Sequence, residues 1–337
     1  MKLEFGKKVF ESLSSDAIKS PAVAVVPPGK GTLAEKTGLK ADKTLEAAAL
    51  SVASLDELAE AAKGAGTIIA IGDSIQADAA RYAAWKNDAV LVVAPQTIDS
   101  ERIFRKEVVD GESAGALGEK PADIVAVDYS LVWSGDEDIT RSSVGDVLGA
   151  ITAAEDWKRS AKDAGYDEDV AERSLDLLSE MMDRADDIFD LTEGGIRAIA
   201  EAMAGREGLA EELGHRRTIE GSEHVFADCA RAVTGREYPH GPLMCLSVIT
   251  MTELQGKPSK AIKQFLHWIR VPWRPDQIGF SDADMRETLK TLRAFSEKHG
   301  YPPTSINMVE MMDEKIDKII NGVRESILRS SLMDRED

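Results

Sequence analysis

The chain has 337 residues, a length that predicts two domains rather than one. Hydrophobic residues make up 43% of it and charged residues 30%, which is typical of a globular protein, and no apolar run approaches the roughly 20 residues that a membrane span needs. The net charge of −19 argues against nucleic acid as a partner, because its phosphates would be repelled. With two isolated cysteines and a start that lacks an apolar signal core, we expect a reduced, cytoplasmic setting.

Residues 1 to about 140 alternate short apolar runs with amphipathic stretches. Four runs predict buried strands, at 22–26, 67–71, 89–94 and 123–128. Continuous apolar strands separated by helices indicate a parallel sheet covered on both faces. Because ligands bind beyond the carboxyl ends of such strands, residues 72–74 and 95–101 are expected at the functional edge. A Ser-x-x-Glu box predicts that Ser54 begins a helix reaching about Lys63.

From about Ser142 the strand-like runs give way to helical patterns. The expected helices cover 144–162, 168–189, 193–204, 222–234, 241–255, 258–270, 281–298 and 307–328. Residues 206–214 are predicted to be a polar connector, and the acidic tail 333–337 is expected to fray. The predicted architecture is a Rossmann-like α/β domain, 1–140, followed by an all-α domain, 141–337.

Two of the five histidines stand close together in the chain, at predicted helix boundaries. His224 opens a run that predicts a buried helix, whereas Pro239 and Gly241 bracket His240. Two imidazoles on consecutive helix ends can converge on one cation, which then needs an oxygen ligand such as Asp146. The other interpretation is a set of polar helix boundaries, since Asp146 also fits a carboxylate at the positive end of a helix dipole.

Four short sequence segments occur in a characteristic order along the chain. They are Pro121-Ala-Asp-Ile-Val-Ala-Val-Asp128, Gly145-Asp146 with Asp156-Trp-Lys158, Arg217 with Gly221-Ser-Glu-His224, and His240-Gly241. In this order they resemble the superfamily of iron-containing alcohol dehydrogenases, glycerol dehydrogenases and dehydroquinate synthases, above all the archaeal glycerol-1-phosphate dehydrogenases. The resemblance implies a dehydroquinate synthase-like fold. It also implies a Zn²⁺ ion held by Asp146, His224 and His240, with the fourth position open to substrate.

The resemblance further implies a nicotinamide dinucleotide, NAD or NADP. Its pyrophosphate is expected on the turn after the second predicted strand, 67–71. In the family this turn is Gly-Gly-Gly-Ser or Gly-Gly-Gly-Lys, because the backbone approaches the phosphates and the amides of a helix N-terminus bind them. Here the turn is Gly72-Asp73-Ser74-Ile75-Gln76, which keeps only the first glycine. Asp73 brings a carboxylate towards the phosphates unless it turns away or caps the helix, whereas Ser74 can still donate a hydrogen bond.

A second cofactor loop, typically Pro-Thr-x-x-Ser, is here Pro95-Gln-Thr-Ile-Asp99, so that Gln96 and Thr97 are the implied contacts. On the substrate side, Glu101 stands where the family has Asp. Asp228 replaces a substrate-facing His and shares a helix face with His224. It is expected to hydrogen-bond substrate or to fill the open metal position. The candidates for binding a substrate phosphate are Arg102, Arg105, Lys106 and Arg217.

The implied reaction is reversible hydride transfer between a nicotinamide and a small polyol phosphate, such as reduction of dihydroxyacetone phosphate to glycerol 1-phosphate. Asp146, Glu101 and Asp228 are the expected catalytic residues, and we expect a homo-oligomer. Two alternatives stay open. One is a cyclase resembling dehydroquinate synthase, although that family's first metal ligand is usually Glu. The other is a diverged member that keeps zinc, has lost the dinucleotide, and is a non-redox enzyme or a structural or regulatory protein.

Overall fold

The structure, a computed structural model, describes residues 1–13, 17–111, 115–160 and 165–325. The predicted helix ends at 162 and 328 and the acidic tail 333–337 lie outside these residues. The chain divides into two compact units, Met1–Thr140 and Arg141–Asp337. Within the described ranges, no helix is both long enough and apolar enough to cross a membrane.

The first unit is built on a six-stranded parallel sheet in the order β1-β8-β5-β4-β2-β3. Its strands are β1 (Lys2–Gly6), β2 (Ala22–Val26), β3 (Lys43–Glu46), β4 (Thr67–Gly72), β5 (Val90–Pro95) and β8 (Ile124–Asp128), and a separate antiparallel pair consists of β6 (Glu107–Val108) and β7 (Gly118–Glu119). The predicted α/β fold is confirmed. The sequence missed β1 and β3 because both are edge strands with partly exposed, mixed residues, which lack the continuous apolar signature of β2 and β4.

The helices of this unit connect the strands. They are α1 (Val9–Ser12), α2 (Leu33–Lys36), α3 (Val52–Ala61), α4 (Ser74–Asn87) and α5 (Tyr129–Val132), with a 3₁₀ turn at Glu101–Ile103 and α6 (Glu137–Ser142) at the unit boundary. The predicted start of α3 at Ser54 is wrong. Ser51 is the N-cap, and its hydroxyl accepts a hydrogen bond from the Ser54 amide at 3.3 Å.

The register of β4 and β5 determines where the two predicted cofactor loops lie. Gly72 at the end of β4 is paired with Pro95 at the end of β5. The amides of Gln96 and Thr97 both donate to the Gly72 carbonyl, at 2.6 and 3.2 Å. The turn after β4 and the loop after β5 therefore lie side by side at the carboxyl edge of the sheet, as predicted.

All regular elements in the described part of the second unit are helical. They are α7 (Val144–Leu148), α8 (Ala150–Arg159), α9 (Glu168–Met182), α10 (Ala185–Phe189), α11 (Glu193–Leu213), α12 (Ser222–Thr234), α13 (His240–Leu254), α14 (Lys260–Trp268), α15 (Asp282–Lys298), α16 (Ser305–Met308) and α17 (Asp313–Arg324), with a 3₁₀ turn at Pro275–Ile278. The predicted connector at 206–214 is wrong, because α11 continues to Leu213. Arg206, Leu209 and Ala210 are buried there, so this stretch packs as helix despite its polar composition.

A buried ionic cluster joins α4 to the segment that follows the second cofactor loop. The Asp78 carboxylate is fully buried and accepts hydrogen bonds from Arg81 Nη1 at 2.6 Å, Arg102 Nε at 2.9 Å and Arg105 Nη2 at 2.7 Å. Arg102 and Arg105, both candidates for a substrate phosphate, thus have a carboxylate as partner. One carboxylate thus faces three guanidinium groups, and the loss of its charge removes an anion that is in direct contact with the buried Arg81.

We expect Asp78→Asn to lower the free energy of unfolding by about 3–5 kcal/mol, because it removes the counter-charge of a fully buried arginine. Thermal unfolding followed by circular dichroism measures the effect. Glu60→Gln is the matched control, since Glu60 pairs with Lys63 where both side chains are more than 70% exposed. The control is expected to change stability by at most about 0.5 kcal/mol, and equal effects of the two substitutions would contradict the assignment.

Candidate functional site

The turn between β4 and α4 is shaped by its one remaining glycine. Gly72 has φ +153°, and a Cβ at this position would lie 2.4 Å from Gln76 Oε1. The Gln76 side chain folds back to accept the Asp73 amide at 3.0 Å and donates to the Ala47 carbonyl at 2.8 Å. Gly72 therefore permits a close approach, and the group that approaches it is the Gln76 carboxamide, while its role towards a pyrophosphate stays a prediction.

Asp73 caps α4 instead of leaving its amides exposed. Its carboxylate accepts the Ile75 amide at 2.8 Å and forms a capping box with Gln76. Of the two outcomes expected for Asp73, the structure shows the capping one. The helix thus has a capping box made by residues of the turn itself.

Asp99, at the end of the neighbouring loop, occupies the next donors of the same turn. Its Oδ1 accepts the Ser74 amide at 2.9 Å and its Oδ2 accepts the Ser74 hydroxyl at 2.5 Å. Ser74 donates a hydrogen bond, as expected, but to a protein carboxylate. Asp73, Ser74 and Ile75 amides are therefore all paired with side chains. A pyrophosphate would need these amides and would meet two carboxylates, so this turn, as described, does not fit it.

Gln96 and Thr97, the other expected cofactor contacts, line a cavity of about 560 Å³ in the first unit. Gln96 Nε2 donates to Ser134 Oγ at 3.1 Å. A tight backbone crossing supports this side of the cavity, because a Cβ on Gly135 would lie 2.2 Å from the Gln96 carbonyl oxygen. The charged residues that line the cavity are Lys30, Asp136, Glu137 and Asp138, a balance that disfavours an anionic ligand.

Asp146 and His240, two of the three predicted metal ligands, are in direct contact. His240 Nε2 and Asp146 Oδ1 are 2.8 Å apart. Asp146 lies in α7 with its side chain almost wholly buried, and His240 is the first residue of α13. Both residues lie at helix starts, as the interpretation as polar helix boundaries expects, and their side chains meet across 94 positions of sequence, so this contact is compatible with that interpretation and with a metal site.

Two glycines explain how α7 and α13 come so close. A Cβ on Gly145 would lie 2.8 Å from the Gly241 carbonyl, and one on Gly241 would lie 2.5 Å from the Ser142 carbonyl. Each glycine is the sequence neighbour of a predicted ligand. The buried Arg206 adds a further link, because it donates to the Asp146 and Thr218 carbonyls. The backbone that carries Asp146 is therefore held from two sides.

His224, the third predicted ligand, is oriented by its neighbour Glu223. Its Nδ1 donates to Glu223 Oε1 at 2.9 Å. The fully buried Glu223 also accepts from the Gly221 amide at 2.8 Å and from the Thr152 hydroxyl. Burial favours the neutral imidazole, but the hydrogen bond to Glu223 and the charges of Glu223, Glu220 and Asp146 outweigh burial and raise the pKa of His224 to about 9.

The donor set can be compared with what zinc requires. One carboxylate and two imidazoles are the ligand types of a catalytic zinc site, and a carboxylate that orients a ligating imidazole through Nδ1 is the usual outer partner. The ligand types of Asp146, His224 and His240 therefore suit a zinc ion. In geometry, no three His, Cys, Asp or Glu side chains of the described residues converge closely enough to hold a metal. The Asp146–His240 contact is a direct hydrogen bond.

Asp228 lies on α12 four residues beyond His224 and has other partners. It accepts from Tyr301 Oη at 2.7 Å and from Arg231 Nη1 at 3.1 Å. Burial, followed by the charge and hydrogen bond of Asp228, raises the pKa of Tyr301. Each carboxylate oxygen of Asp228 thus has a protein partner, and its expected roles towards a substrate and at the open metal position stay predictions.

Arg217 and Glu101 are both buried. Arg217 Nη2 donates to the Pro303 carbonyl at 2.8 Å and to the Ser160 hydroxyl, which ties the segment before α16 to the end of α8. This placement fits a structural role and gives no support to the expected contact with a substrate phosphate. Glu101 begins the 3₁₀ turn after the second cofactor loop, and its role stays a prediction.

Sequence reasoning gave no role to Asp99 or Glu223. Both stand inside motifs that carry the family resemblance, Asp99 as the last residue of 95–99 and Glu223 directly before a predicted ligand. For Glu223, a carboxylate beside a ligating histidine was a usable signal. For Asp99 there was none, because its contact with Ser74 depends on the pairing of β4 with β5.

The comparisons with known proteins agree with this fold. No protein-family model matches the chain. Over 251 residues, 72% of this chain and 71% of the relative, it is 28% identical to a protein of Sulfurisphaera tokodaii named glycerol-1-phosphate dehydrogenase (NAD(P)+). Among solved structures it is similar to glycerol dehydrogenase from Schizosaccharomyces pombe, with TM-score 0.74, 17% identity and coverage of 100% of this chain and 92% of that one.

Another similar structure is sulfoacetaldehyde reductase from Bifidobacterium kashiwanohense in complex with NAD+, with TM-score 0.68, 15% identity and coverage of 97% of both chains. An iron-containing alcohol dehydrogenase from Corynebacterium glutamicum also shares the fold, with TM-score 0.69, 12% identity and coverage of 96% of this chain and 94% of that one. The predicted resemblance to this superfamily is confirmed. Several of the similar proteins are named as dehydrogenases, and this supports the prediction that the chain is an oxidoreductase.

We expect Gly241→Ala to lower the free energy of unfolding by about 1–3 kcal/mol, because its Cβ would overlap the Ser142 carbonyl and push α13 away from α7. Gly208→Ala is the control. Gly208 lies inside α11, where a Cβ meets nothing within 4 Å, so this change is expected to stabilise the helix by up to about 1 kcal/mol. Thermal unfolding of both variants measures the difference, and similar shifts would argue against the close approach.

Proposed function

We propose that the chain is a metal-dependent, NAD(P)-linked dehydrogenase of a small polyol phosphate, of the glycerol-1-phosphate dehydrogenase type. The support for the substrate class is the name shared by its relatives, of which one aligns over 83% of this chain at 26% identity. The observation that carries the metal-dependent part is the contact between Asp146 and His240 in the second unit. Cytoplasmic location and homo-oligomer formation stay predictions.

In this proposal Asp146, His224 and His240 would hold a zinc ion, and each is positioned by another group. The Asp146 carbonyl is held by Arg206, and His240 is held at the start of α13 by the approach of Gly241 to Ser142. Glu223 holds Nδ1 of His224, so Nε2 would be the ring nitrogen available to the ion. A zinc ion there supplies a Lewis acid that lowers the pKa of a bound hydroxyl.

Asp228, on the helix α12 that carries His224, forms a second polar pair with Tyr301, which follows α15. The Tyr301 hydroxyl donates to Asp228, and burial and the Asp228 charge raise its pKa further above neutral pH. Asp228 thus stands as a hydrogen-bonded carboxylate one helical turn from His224. We propose that this pair orients a polar group of the substrate.

One observation favours a second candidate function, a zinc-binding member that does not use a dinucleotide. The first-turn amides of α4 are already paired with Asp73, Gln76 and Asp99. This candidate has the same metal ligands and differs in its lack of redox chemistry. No described contact favours the cyclase alternative.

The metal assignment predicts that His240→Ala lowers bound zinc from about one ion per chain to a small fraction, because one of three protein ligands is lost. Metal content of the purified, dialysed protein measures this. His267→Ala removes an exposed histidine of the same unit and serves as control, with zinc expected to stay at the wild-type level. Full zinc retention in His240→Ala would show that the ligand assignment is mistaken.

The redox assignment predicts that the zinc-loaded protein oxidises NADH or NADPH in the presence of dihydroxyacetone phosphate, followed by absorbance of the reduced nicotinamide. His240→Ala is expected to lower the rate by at least about a hundredfold, because the Lewis acid is lost. A wild-type protein that holds zinc but turns over neither cofactor would favour the second candidate.

A further inference from the structure

We infer that the Asp99 carboxylate stands in for a ligand phosphate at the N-terminus of α4, and that Asp99 thereby sets the affinity of the chain for a dinucleotide. The inference rests on the proposed function for the identity of the ligand. It concerns a residue that has no role in the metal site and that lies wholly within the first unit.

The contact has the pattern of anion binding rather than of ordinary helix capping. Both oxygens of one carboxylate are used, Oδ1 by the Ser74 amide at 2.9 Å and Oδ2 by the Ser74 hydroxyl at 2.5 Å. A backbone amide and a hydroxyl at the start of a helix are the donors that bind a phosphate in helix N-terminal sites. The anion here comes from the loop after β5, not from the turn itself.

The capping box of α4 forms without Asp99. Asp73 accepts the Ile75 amide, and Gln76 accepts the Asp73 amide, so the capping box is formed by residues of the turn. Asp99 therefore adds a second negative charge to a helix end that its own cap already serves. The extra carboxylate favours the closed turn through the helix dipole and through charge-assisted hydrogen bonds.

A dinucleotide has to compete with this carboxylate for the same donors. Its pyrophosphate would need the Ser74 amide and hydroxyl, which are released only when Asp99 moves away. Asp73 stays in the turn, so one negative charge continues to oppose the phosphates. Binding of NAD(P)H is therefore coupled to opening of the Asp99–Ser74 contact, and its affinity is lower than that of a chain without Asp99.

Two variants distinguish the effect of occupying the Ser74 donors from the effect of the negative charge of Asp99. Asp99→Ala removes the competing acceptor and its charge, whereas Asp99→Asn keeps an acceptor oxygen and removes the charge. We expect Asp99→Ala to lower the Kd for NADH and NADPH by about tenfold or more, and Asp99→Asn to lower it by about threefold or more but less than Asp99→Ala. Titration followed by nicotinamide fluorescence gives the constants for wild type and variants.

Glu57→Ala is the matched control, because it removes one exposed carboxylate from the same unit. Its neighbour Asp56 accepts a hydrogen bond from Tyr82, eight residues along α4 from Ser74, so the change lies away from the turn. The control is expected to leave Kd within about twofold of wild type. Thermal unfolding of each variant reports whether it is folded, and if Asp99→Ala is not, Asp99→Asn decides alone.

A Kd within twofold of wild type in the folded Asp99 variants overturns the inference, including the case in which none of the proteins binds at millimolar cofactor. Turnover is assayed separately on the wild type. Tighter binding in the variants without any wild-type turnover supports the inference and refutes the proposed function. Wild-type turnover with unchanged Kd in the variants supports the proposed function and overturns the inference.

Discussion

The amides in the first turn of a helix have no partners within the helix, and each needs an acceptor from elsewhere. At the carboxyl edge of this sheet, the chain supplies those acceptors itself. Asp73 and Gln76 form a local cap, and Asp99 reaches across from the neighbouring loop to Ser74. The choice of acceptor is what distinguishes the two candidate functions, because a helix end used by protein carboxylates is closed to phosphates until they leave.

In the second unit, the candidate site depends on contacts between side chains that are far apart in sequence. Gly145 and Gly241 let two helices approach to backbone contact, and Asp146 and His240 meet as a consequence. The same contact explains why two of the three predicted ligands, Asp146 and His240, have a glycine beside them. Glu223 and Arg206 then hold the imidazole of His224 and the backbone of Asp146. The proposed metal ligands are thus held by buried polar groups that have hydrogen-bond partners, as burial of polar groups requires.

The two units differ in how their candidate site residues are used. The second unit brings Asp146 and His240 into contact and orients His224 through Glu223. The first unit retains the sheet, the edge and Gly72, yet its turn binds protein side chains in place of a ligand. The likeness to the superfamily thus lies in the scaffold, whereas the donors at the start of α4 are used by Asp73, Gln76 and Asp99.

The sequence by itself determined the buried strands, the helical character of residues from 141 onwards and the candidate ligands, because these depend on local patterns and short motifs. It failed at the edge strands β1 and β3, where partial exposure removes the apolar signature, and at 206–214, where burial of Arg206 overrides polar composition. Only the tertiary structure decided the partners of Arg217, Asp228 and Asp99. These contacts join segments distant in sequence, and strand register and helix packing, which no local pattern records, set which side chains meet.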